Sequence, residues 1–486
     1  MKKVLVIAFI YPPLGGSGVQ RTLKYCKYLP EFGWQSYVVC SDAPDAFGDG
    51  LDPSLLAEIP TEAKVWRRAF VNPLELRRWA HKLLDMKPGG EIPTQNQHAM
   101  TGKQDMSKGI RGLAQALASL LAAFEFPAVD AALYWAFAIL PGCVRLIRTE
   151  KIDVIYSTSF PYSDHVAGWL LKRLSGLPWV ADFRDPWTQN AGVRNRGWRY
   201  RIDQWVEQRV LHSADRVIGV TPSYTANLLR LVPNRPAEHF MTIENGYDKD
   251  DFISADYGLA DLGPAISSQN MLAKTAIDEA QPPDQPIKLA HVGYLYDGTA
   301  LPFFRALEAL GEMAARLHVR FMGGLPAQEQ GWLENHAIAA KIFNEPRRPH
   351  QEAIQAMRSA TVLLLFVLAD PIYSGHYPGK LFEYMASGTP ILLIGPEGEA
   401  AELIRRSGVG CFSSTADPQG IMEILRLVAT DPSAFRERYY RPQPQVIAGY
   451  ERRVLTFKLA SMFNELAISN SIGNLGKENS RYSEKL

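Results

Sequence analysis

Short apolar runs alternate along the chain with stretches in which apolar residues recur every three or four positions. In the first half, the apolar runs predict strands at residues 3–10, 36–40, 154–157, 179–181, 216–220 and 241–243. Between the first two runs, helical spacing connects Val19, Leu23, Cys26 and Leu29. Alternation of this kind predicts a parallel sheet covered by helices.

A second set of apolar runs follows an interruption rich in Ala, Ser, Gln, Asp and Pro. We expect a Rossmann-like domain at 1–252, a linker at 253–286 and a second Rossmann-like domain at 287–450. Strands of the second domain are predicted at 287–293, 319–324, 362–368 and 390–394. A helix at 451–466 and a disordered tail at 467–486 complete the chain. The predicted class is α/β, with two parallel sheets facing a cleft that would hold the functional site.

A basic insertion at about 67–126 interrupts the first domain. Between residues 67 and 87 it carries six Lys or Arg residues and two acidic residues, with Leu74, Trp79, Leu83 and Leu84 among them. The pattern suits a solvated helix that caps the domain, and it also suits an amphipathic helix at a membrane interface. In the second interpretation, the insertion would contact an anionic membrane surface or a lipid-linked acceptor.

Composition narrows the choice of partners and compartment. The chain has 486 residues, of which 47% are hydrophobic and 21% charged, and this excludes a disordered protein. A net charge of +1 without a basic, aromatic-interleaved stripe argues against nucleic acid. The four cysteines lack C-x-x-C spacing, and the first apolar run shows no cleavage site. No apolar stretch approaches the ~20 residues of a membrane span, so we expect a cytoplasmic protein, soluble or peripheral on the inner membrane face.

A glycine cluster, Gly15-Gly16-Ser17-Gly18, follows the first predicted strand and opens a helix. Backbone N–H groups and the positive end of a helix favour an anion at such a place. A dinucleotide fingerprint needs a third glycine where Arg21 stands, which argues against NAD. Gly16 and Gly18 are therefore candidates for contact with a phosphorylated donor, or else belong to a loop that merely turns.

The segment 373–390 holds the most candidate chemistry. Pro378 suits the first position of a short helix. A diphosphate could be held by backbone N–H groups between Gly375 and Gly379 and by Lys380, while Glu383 could accept hydrogen bonds from ribose hydroxyls. The alternative is an ordinary surface ion pair between Lys380 and Glu383, three residues apart on the helix.

The sequence PGKLFEYMASGTPI at residues 378–391 resembles the signature of the retaining, GT-B-fold glycosyltransferases called the group 1 or family 4 type. Four further segments agree with that family in order and spacing, at residues 11–18, 157–165, 182–187 and 244–248. The resemblance covers roughly residues 1–66, 127–252 and 287–465. The basic insertion, the linker and the tail stay outside it.

The resemblance implies that the second domain holds a nucleotide-diphospho-sugar donor and the first domain a saccharide or lipid-linked acceptor, with retention at the anomeric carbon. Glu383 matches the second glutamate of the family's E-x-x-x-x-x-x-x-E motif, which binds the donor ribose. The first glutamate would fall at Gly375 and is absent. Gly293 and Gly298 offer backbone after the first strand of the second domain, where the family often carries a basic pair. Phosphate charge would then be met by Lys380 and the helix end, with help from Arg184 or Arg21.

His165 matches an active-site histidine of the family and is, with Lys380, a catalytic candidate. At a helix N-terminus its neutral form is favoured, which suits a hydrogen bond to a sugar hydroxyl. The residues assigned to the cleft or the acceptor are Arg21, Arg184, Asp185 and Asn245. Asp182 and Asp185 have D-x-x-D spacing and not D-x-D, and this fold generally stabilises the leaving diphosphate without a metal. We therefore expect neither metal nor other cofactor.

Two other functions remain open. Loss of the first motif glutamate suits a catalytically silent nucleotide-sugar-binding partner subunit, and sugar-nucleotide epimerases share the fold. Proteins that resemble this chain commonly build cell-surface polysaccharides, and that role is an expectation by analogy. The sequence names neither the sugar and base of the donor nor the acceptor.

Overall fold

The structure, a computed structural model, describes residues 1–42, 50–69, 129–190, 197–254, 285–370 and 374–483, with side chains of the last helix described to residue 471. Most of the predicted basic insertion at 67–126 and of the predicted linker at 253–286 lies outside these residues. Arg67 and Arg68, expected in the insertion, are described and belong to an edge strand of the first sheet.

A seven-stranded parallel sheet forms the core of the first domain, in the order β3-β2-β1-β4-β5-β6-β7. Its strands are β1 (Lys2–Ile7), β2 (Trp34–Ser41), β3 (Lys64–Arg68), β4 (Val154–Ser159), β5 (Trp179–Phe183), β6 (Arg216–Gly219) and β7 (Phe240–Thr242). Val4 of β1 lies opposite Ser36 on one side and Val154 on the other. Inner strands are covered on both faces, which explains their continuous apolar runs in the sequence.

Helices cover both faces of this sheet. They are α1 (Ser17–Tyr28), α2 (Leu133–Glu150), α3 (Ser163–Ser175), α4 (Trp198–Ser213), α5 (Pro222–Leu231) and α6 (Lys249–Ser254), with 3-10 turns at Leu29–Phe32, Pro53–Glu58 and Ala237–His239. From β1 the chain moves toward one edge of the sheet to reach β2, whereas from β4 to β7 it moves toward the other edge. Because the crossovers are right-handed, the helix α1 between β1 and β2 lies on one face, and the helices between β4 and β7 lie on the opposite face. The other face carries α3, α4 and α5, and α2 joins them because it packs against α3.

The second domain repeats this design with a six-stranded parallel sheet in the order β10-β9-β8-β11-β12-β13. Its strands are β8 (Ile287–Val292), β9 (Leu317–Met322), β10 (Ile342–Glu345), β11 (Val362–Phe366), β12 (Ile391–Gly395) and β13 (Gly410–Ser414). Its helices are α7 (Leu301–Ala309), α8 (Ala327–Leu333), α9 (His350–Ser359), α10 (Lys380–Ala386), α11 (Glu399–Ser407), α12 (Pro418–Thr430), α13 (Pro432–Tyr439) and α14 (Pro444–Ala448), with 3-10 turns at Gly311–Arg316 and Ala337–Lys341. The predicted pair of Rossmann-like domains is confirmed.

The last helix, α15 (Arg452–Ser483), returns to the first domain and packs on its core. The ring of Phe463 lies 5.2 Å from that of Trp34, between centroids. The prediction of a helix end at 466 and a disordered tail at 467–486 is corrected here, because the helix continues to Ser483. Leu466 and Ala467 are buried, so the apolar spacing that holds the helix extends past the expected end.

The carboxyl ends of both sheets border the cleft between the domains, and several hydrogen bonds cross it. Thr221 Oγ1 donates to the carbonyl oxygen of Gly375 over 2.8 Å. The backbone N–H of Ser223 donates to Glu399 Oε1 over 2.6 Å. Side chains from both sides therefore meet at the place where ligands bind in open α/β sheets. Within the described ranges, no helix combines the length and apolar character needed to cross a membrane.

Candidate active site

Lys380 and Glu383 lie together at the start of α10. Lys380 Nζ is 3.1 Å from Glu383 Oε2. Gly293, the residue after β8, has φ +125°, and a Cβ there would lie 3.1 Å from Lys380 Cε. Glycine therefore suits both the backbone conformation and the close approach of the lysine. The backbone at the end of β8 and the Lys380 ammonium group at the start of α10 therefore lie side by side on one surface. Both kinds of group can bind a diphosphate.

Glu383 is held as a carboxylate although its side chain is only 15% exposed. Burial would raise its pKa, but the charges of Lys380 and His350 outweigh burial and hold the pKa below its usual value. A carboxylate can only accept hydrogen bonds, which suits the two hydroxyl donors of a ribose. The ion pair offered as the alternative from the sequence is present, in a setting far less exposed than an ordinary surface pair.

His350, the first residue of α9, lies on the other side of Glu383. Its Nε2 is 3.2 Å from Asp251 Oδ2 and 3.9 Å from Glu383 Oε1. Burial lowers the pKa of His350, but the two carboxylates outweigh burial and raise it above its ordinary value. Because Asp251 belongs to α6, this imidazole connects the two domains. Sequence reasoning missed both residues, since nothing in the local pattern brings 251, 350 and 383 together.

Asp251 is itself bound by Lys24 of α1. Lys24 Nζ lies 2.7 Å from Asp251 Oδ1, 2.8 Å from Asp248 Oδ2 and 2.5 Å from Glu58 Oε2. Three carboxylates at this spacing could surround a cation, and here the lysine ammonium lies among them. Burial lowers the pKa of Lys24, but the carboxylates outweigh it and raise the pKa. A continuous series of ionic contacts thus runs from α1 through α6 to the Lys380–Glu383 pair.

The other predicted donor-binding glycines of the second domain have different surroundings. Gly375 lies at the contact between the domains, where a Cβ would be 3.0 Å from Ser223 Cβ. Gly379 precedes α10 with a helical φ of −55°. Gly298 has φ +78° and faces the side chain of Gln328 in α8. Gly379 is the chain neighbour of Lys380, and Gly293 is the glycine of another element that the Lys380 side chain approaches.

The glycine loop of the first domain packs against Arg184. Gly16 caps α1 with φ +93°. The Arg184 guanidinium donates to the carbonyl oxygens of Gly18 and Ser159, and to that of Phe160 over 3.1 Å. Three backbone acceptors therefore hold Arg184 in the wall of the cleft, against the loop that opens α1.

Arg21 has a structural role that differs from the phosphate contact considered from the sequence. It is 1% exposed, and its Nε and Nη2 donate to Asp182 over 2.7 and 2.9 Å. Its remaining donors reach the carbonyl oxygens of Glu244 and Ile243, both over 2.8 Å, and Asn245 Oδ1 over 3.5 Å. Burial raises the pKa of Asp182, but Arg21 outweighs it and lowers the pKa overall. Arg21 and Asn245 therefore fix the loop after β7, and the guanidinium has no donor left for a phosphate.

His165 is fully buried in the first turn of α3. Its Nδ1 lies 2.9 Å from Ser157 Oγ, and its ring centroid is 4.3 Å from that of Phe183. Nε2 has no hydrogen-bond partner among the described residues. Burial lowers the pKa of His165 to about 3, so the ring is neutral as expected, but the cause is burial more than the helix end. In this conformation the imidazole does not reach a substrate in the cleft.

Asp185 lies in the loop after β5, where its carbonyl oxygen accepts a 2.7 Å hydrogen bond from the Tyr224 hydroxyl. Its carboxylate acts on His376 of the second domain. Burial lowers the pKa of His376, and Asp185 opposes that effect without cancelling it. Asp185 and His376, which belong to different domains, are therefore close enough to interact electrostatically.

Comparisons with known proteins agree with this arrangement. Residues 104–246 match a family model described as Glycosyl transferase 4-like domain. A glycosyltransferase from Rickettsia africae is 13% identical, with 96% of this chain and 98% of that chain covered and a TM-score of 0.56. HepE from Anabaena, solved with UDP and glucose, is 14% identical, with 96% and 100% covered and a TM-score of 0.56. A candidate UDP-N-acetylglucosamine 2-epimerase from Listeria monocytogenes is 10% identical, with 96% and 98% covered and a TM-score of 0.51. No curated protein matches the chain.

The fold and the cleft define a GT-B protein. The match of residues 104–246 to a glycosyl transferase 4-like domain agrees with the resemblance to glycosyltransferases of the group 1 or family 4 type. At these identities the solved structures show the fold alone.

Proposed function

We propose that this protein transfers a sugar from a nucleotide-diphospho-sugar donor to a hydroxyl of a saccharide or lipid-linked acceptor, with retention of the anomeric configuration. The observation that carries the proposal is the Lys380–Glu383 pair beside Gly293, at the carboxyl end of the second sheet. HepE, which shares the fold, was solved with UDP and glucose, and a uridine diphosphate sugar is therefore the first donor to test.

In the donor complex, Glu383 accepts hydrogen bonds from the ribose hydroxyls and Lys380 contacts the diphosphate. The 3.1 Å separation of the two groups fits neighbouring parts of one nucleotide. Gly293 has no side chain, so a phosphate can approach its backbone next to the Lys380 stem. The motif glutamate missing at Gly375 leaves the contact to the donor sugar to other groups of the cleft.

The transfer breaks the bond between the anomeric carbon and the β-phosphate oxygen, and a new bond from the acceptor oxygen forms on the same face of the sugar. The acceptor hydroxyl proton passes to the departing phosphate oxygen, so the scheme uses no protein nucleophile. Negative charge grows on the diphosphate as its bond breaks, and Lys380 stabilises that charge more in the transition state than in the ground state. We expect no metal or other cofactor.

His165 stays a catalytic candidate in this proposal. Its neutral ring and its Nε2, which no described residue binds, are suited to a sugar hydroxyl. Because the ring is fully buried, contact with substrate requires movement of the residues above it. By analogy with the proteins it resembles, we place the enzyme in cell-surface polysaccharide synthesis, in the cytoplasm and peripheral on the inner membrane face.

The test is incubation of the purified chain with radiolabelled uridine diphosphate sugars and a membrane extract. Label in an acceptor product supports a transferase, and the anomeric proton coupling of that product reports retention or inversion. Binding without turnover supports the silent partner subunit, and a changed sugar still attached to the nucleotide supports an epimerase. The variant Glu383→Ala should lose transfer, while Glu402→Ala, an exposed carboxylate on α11, is the matched control.

A further inference from the structure

One side of the first domain carries a basic and aromatic surface formed by α2, α3 and α4, which we call the α2–α4 face. All three helices are fully described. The large apolar side chains exposed on the face are Tyr134, Phe137, Leu174, Trp198 and Trp205. Its exposed charged side chains are Arg145, Arg148, Arg173, Arg201 and Arg209. The face therefore combines bulky apolar groups with charge of a single sign.

Aromatic and basic residues share one row on each outer helix. On α4 the row reads Trp198, Arg201, Trp205 and Arg209, and on α2 it reads Tyr134, Phe137, Arg145 and Arg148. Residues three or four positions apart lie on the same side of a helix. Trp198 is 61% exposed and Trp205 52%, which is unusual for a residue that normally buries most of its surface.

The acidic residues of these helices point in the other direction. Asp164, Asp203 and Glu207 are buried. Glu207 accepts a hydrogen bond from the Thr188 hydroxyl inside the domain. Glu150, half-buried at the end of α2, accepts a 2.6 Å hydrogen bond from the Tyr37 hydroxyl. On these three helices the carboxylates are thus used within the fold, and the outward charge is positive.

Three of the four exposed aromatic residues lie toward the cleft, and Trp205 lies in the middle of α4. Helix α4 follows β5 and starts near the carboxyl end of the sheet, so Trp198, its first residue, lies at that end. Helix α2 leads into the start of β4, so its own first turns, with Tyr134 and Phe137, lie at the same end. The face therefore adjoins the acceptor side of the cleft.

We propose that the α2–α4 face binds an anionic lipid surface, with the tryptophans and Phe137 in the headgroup layer and the arginines against lipid phosphates. Tryptophan favours membrane interfaces, and arginines near an anionic leaflet are attracted to it. Exposed Leu174 and Phe137 add apolar surface that inserts among lipids and that a nucleic acid backbone would not bury. The acceptor is then lipid-linked, a conclusion that rests on the proposed function, whereas lipid binding itself does not.

The experiment is co-sedimentation of the full chain with vesicles of phosphatidylcholine alone or mixed with phosphatidylglycerol, at low and high salt. We expect binding to the mixed vesicles that high salt weakens. The double variants Trp198→Ser/Trp205→Ser and Arg201→Glu/Arg209→Glu should each lower the partition coefficient on the order of ten-fold or more. Arg453→Glu/Phe457→Ser is the matched control, because these exposed residues lie on α15, across the sheet from the α2–α4 face.

Four results would overturn the proposal: equal binding of wild type to both vesicles, variants that bind like wild type, loss in the control alone, or preference for single-stranded RNA over the mixed vesicles. A further triple variant, Arg77→Glu/Arg78→Glu/Lys82→Glu, tests the basic insertion. If vesicle binding were lost in this variant and unchanged in the variants of the α2–α4 face, that result would also contradict the proposal. The shift in melting temperature with UDP is measured on the same samples. A variant that loses vesicle binding and keeps the UDP-dependent shift in melting temperature shows that lipid binding and nucleotide binding are separate properties.

Discussion

His350 Nε2 lies 3.2 Å from Asp251 Oδ2, and this contact joins the second domain to the first. Glu383 Oε1 is 3.9 Å away on the other side of the same nitrogen. The imidazole therefore lies between a carboxylate that Lys24 anchors to α1 and the carboxylate proposed to bind the donor ribose. Its charge links the contact between the domains to the donor site.

We expect the variant His350→Gln to lose a pH dependence that the wild type shows. Burial lowers the pKa of His350, but Asp251 and Glu383 raise it overall in the folded state. The resulting stability is complete below the unfolded pKa of about 6.5 and is lost as the pH rises through the raised value. The melting temperature of wild type should therefore fall more steeply than that of the variant as the pH rises from roughly 6.5 to 8.5. Thermal melts of wild type, His350→Gln and the control His212→Gln on α4 in a pH series measure this difference. Parallel plots of melting temperature against pH for wild type and His350→Gln would contradict the prediction.

Glu383→Ala should weaken donor binding and leave acceptor binding nearly unchanged. The substitution removes a charged acceptor for the ribose hydroxyls, at a cost of about 1.5–3 kcal/mol, which corresponds to about 10- to 150-fold in donor affinity. Isothermal titration with UDP on the folded variant measures this. Glu402→Ala, a 66% exposed carboxylate in the same domain, should retain wild-type affinity. Unchanged affinity in folded Glu383→Ala would remove the ribose assignment.

Lys380→Ala should lower kcat as well as donor affinity, because the charge that Lys380 stabilises is larger in the transition state. Steady-state kinetics over a range of donor concentrations separates the two effects. Lys288→Ala, an exposed lysine on β8, is the control. A variant with a raised KM and an intact kcat would make Lys380 a ground-state anchor only.

Every inner strand could be predicted from sequence, whereas three of the four edge strands could not, and the edge strand β7 is the exception. β11 and β12 are buried along their whole length and appear as the continuous apolar runs VLLLF and ILLIG. The strands without a prediction are β3, β10 and β13, three of the four strands at the sheet edges. Their sequences KVWRR, IFNE and GCFSS mix polar and apolar residues because part of each strand stays accessible.

The same reasoning separates the two parts of the site. Lys380 and Glu383 are three residues apart on one helix, so their proximity follows from helical spacing alone. Arg21 and Asp182 are 161 residues apart, and a lone arginine after a glycine loop has the same sequence signature whether it meets a phosphate or a buried aspartate. Only the tertiary fold distinguishes these cases.

Arg21→Met should destabilise the first domain and spare nucleotide binding in the molecules that fold. Removing one partner leaves Asp182, which is fully buried, without its counter-ion, and this costs about 3–5 kcal/mol. The melting temperature measures that loss, and Arg230→Met, an exposed arginine on α5, should change stability by less than about 0.5 kcal/mol. If Arg21→Met had wild-type stability and bound UDP more weakly, Arg21 would instead be a phosphate-binding residue.

Glu207→Gln should stabilise the protein at pH 8 and have little effect at pH 5. Burial raises the pKa of Glu207 to about 7, and the Thr188 hydroxyl offsets only part of this effect. Its protonated form therefore contributes stability below the unfolded pKa of about 4.3, and that contribution is lost as the pH rises through the folded value. At pH 8 the fold must hold a buried carboxylate at a cost of about 4 kcal/mol, and glutamine keeps the shape without the charge. Melting temperatures of wild type, Glu207→Gln and the exposed control Glu402→Gln at both pH values measure the effect. If Glu207→Gln were less stable than wild type at pH 8, the hydrogen bond from Thr188 would need the carboxylate.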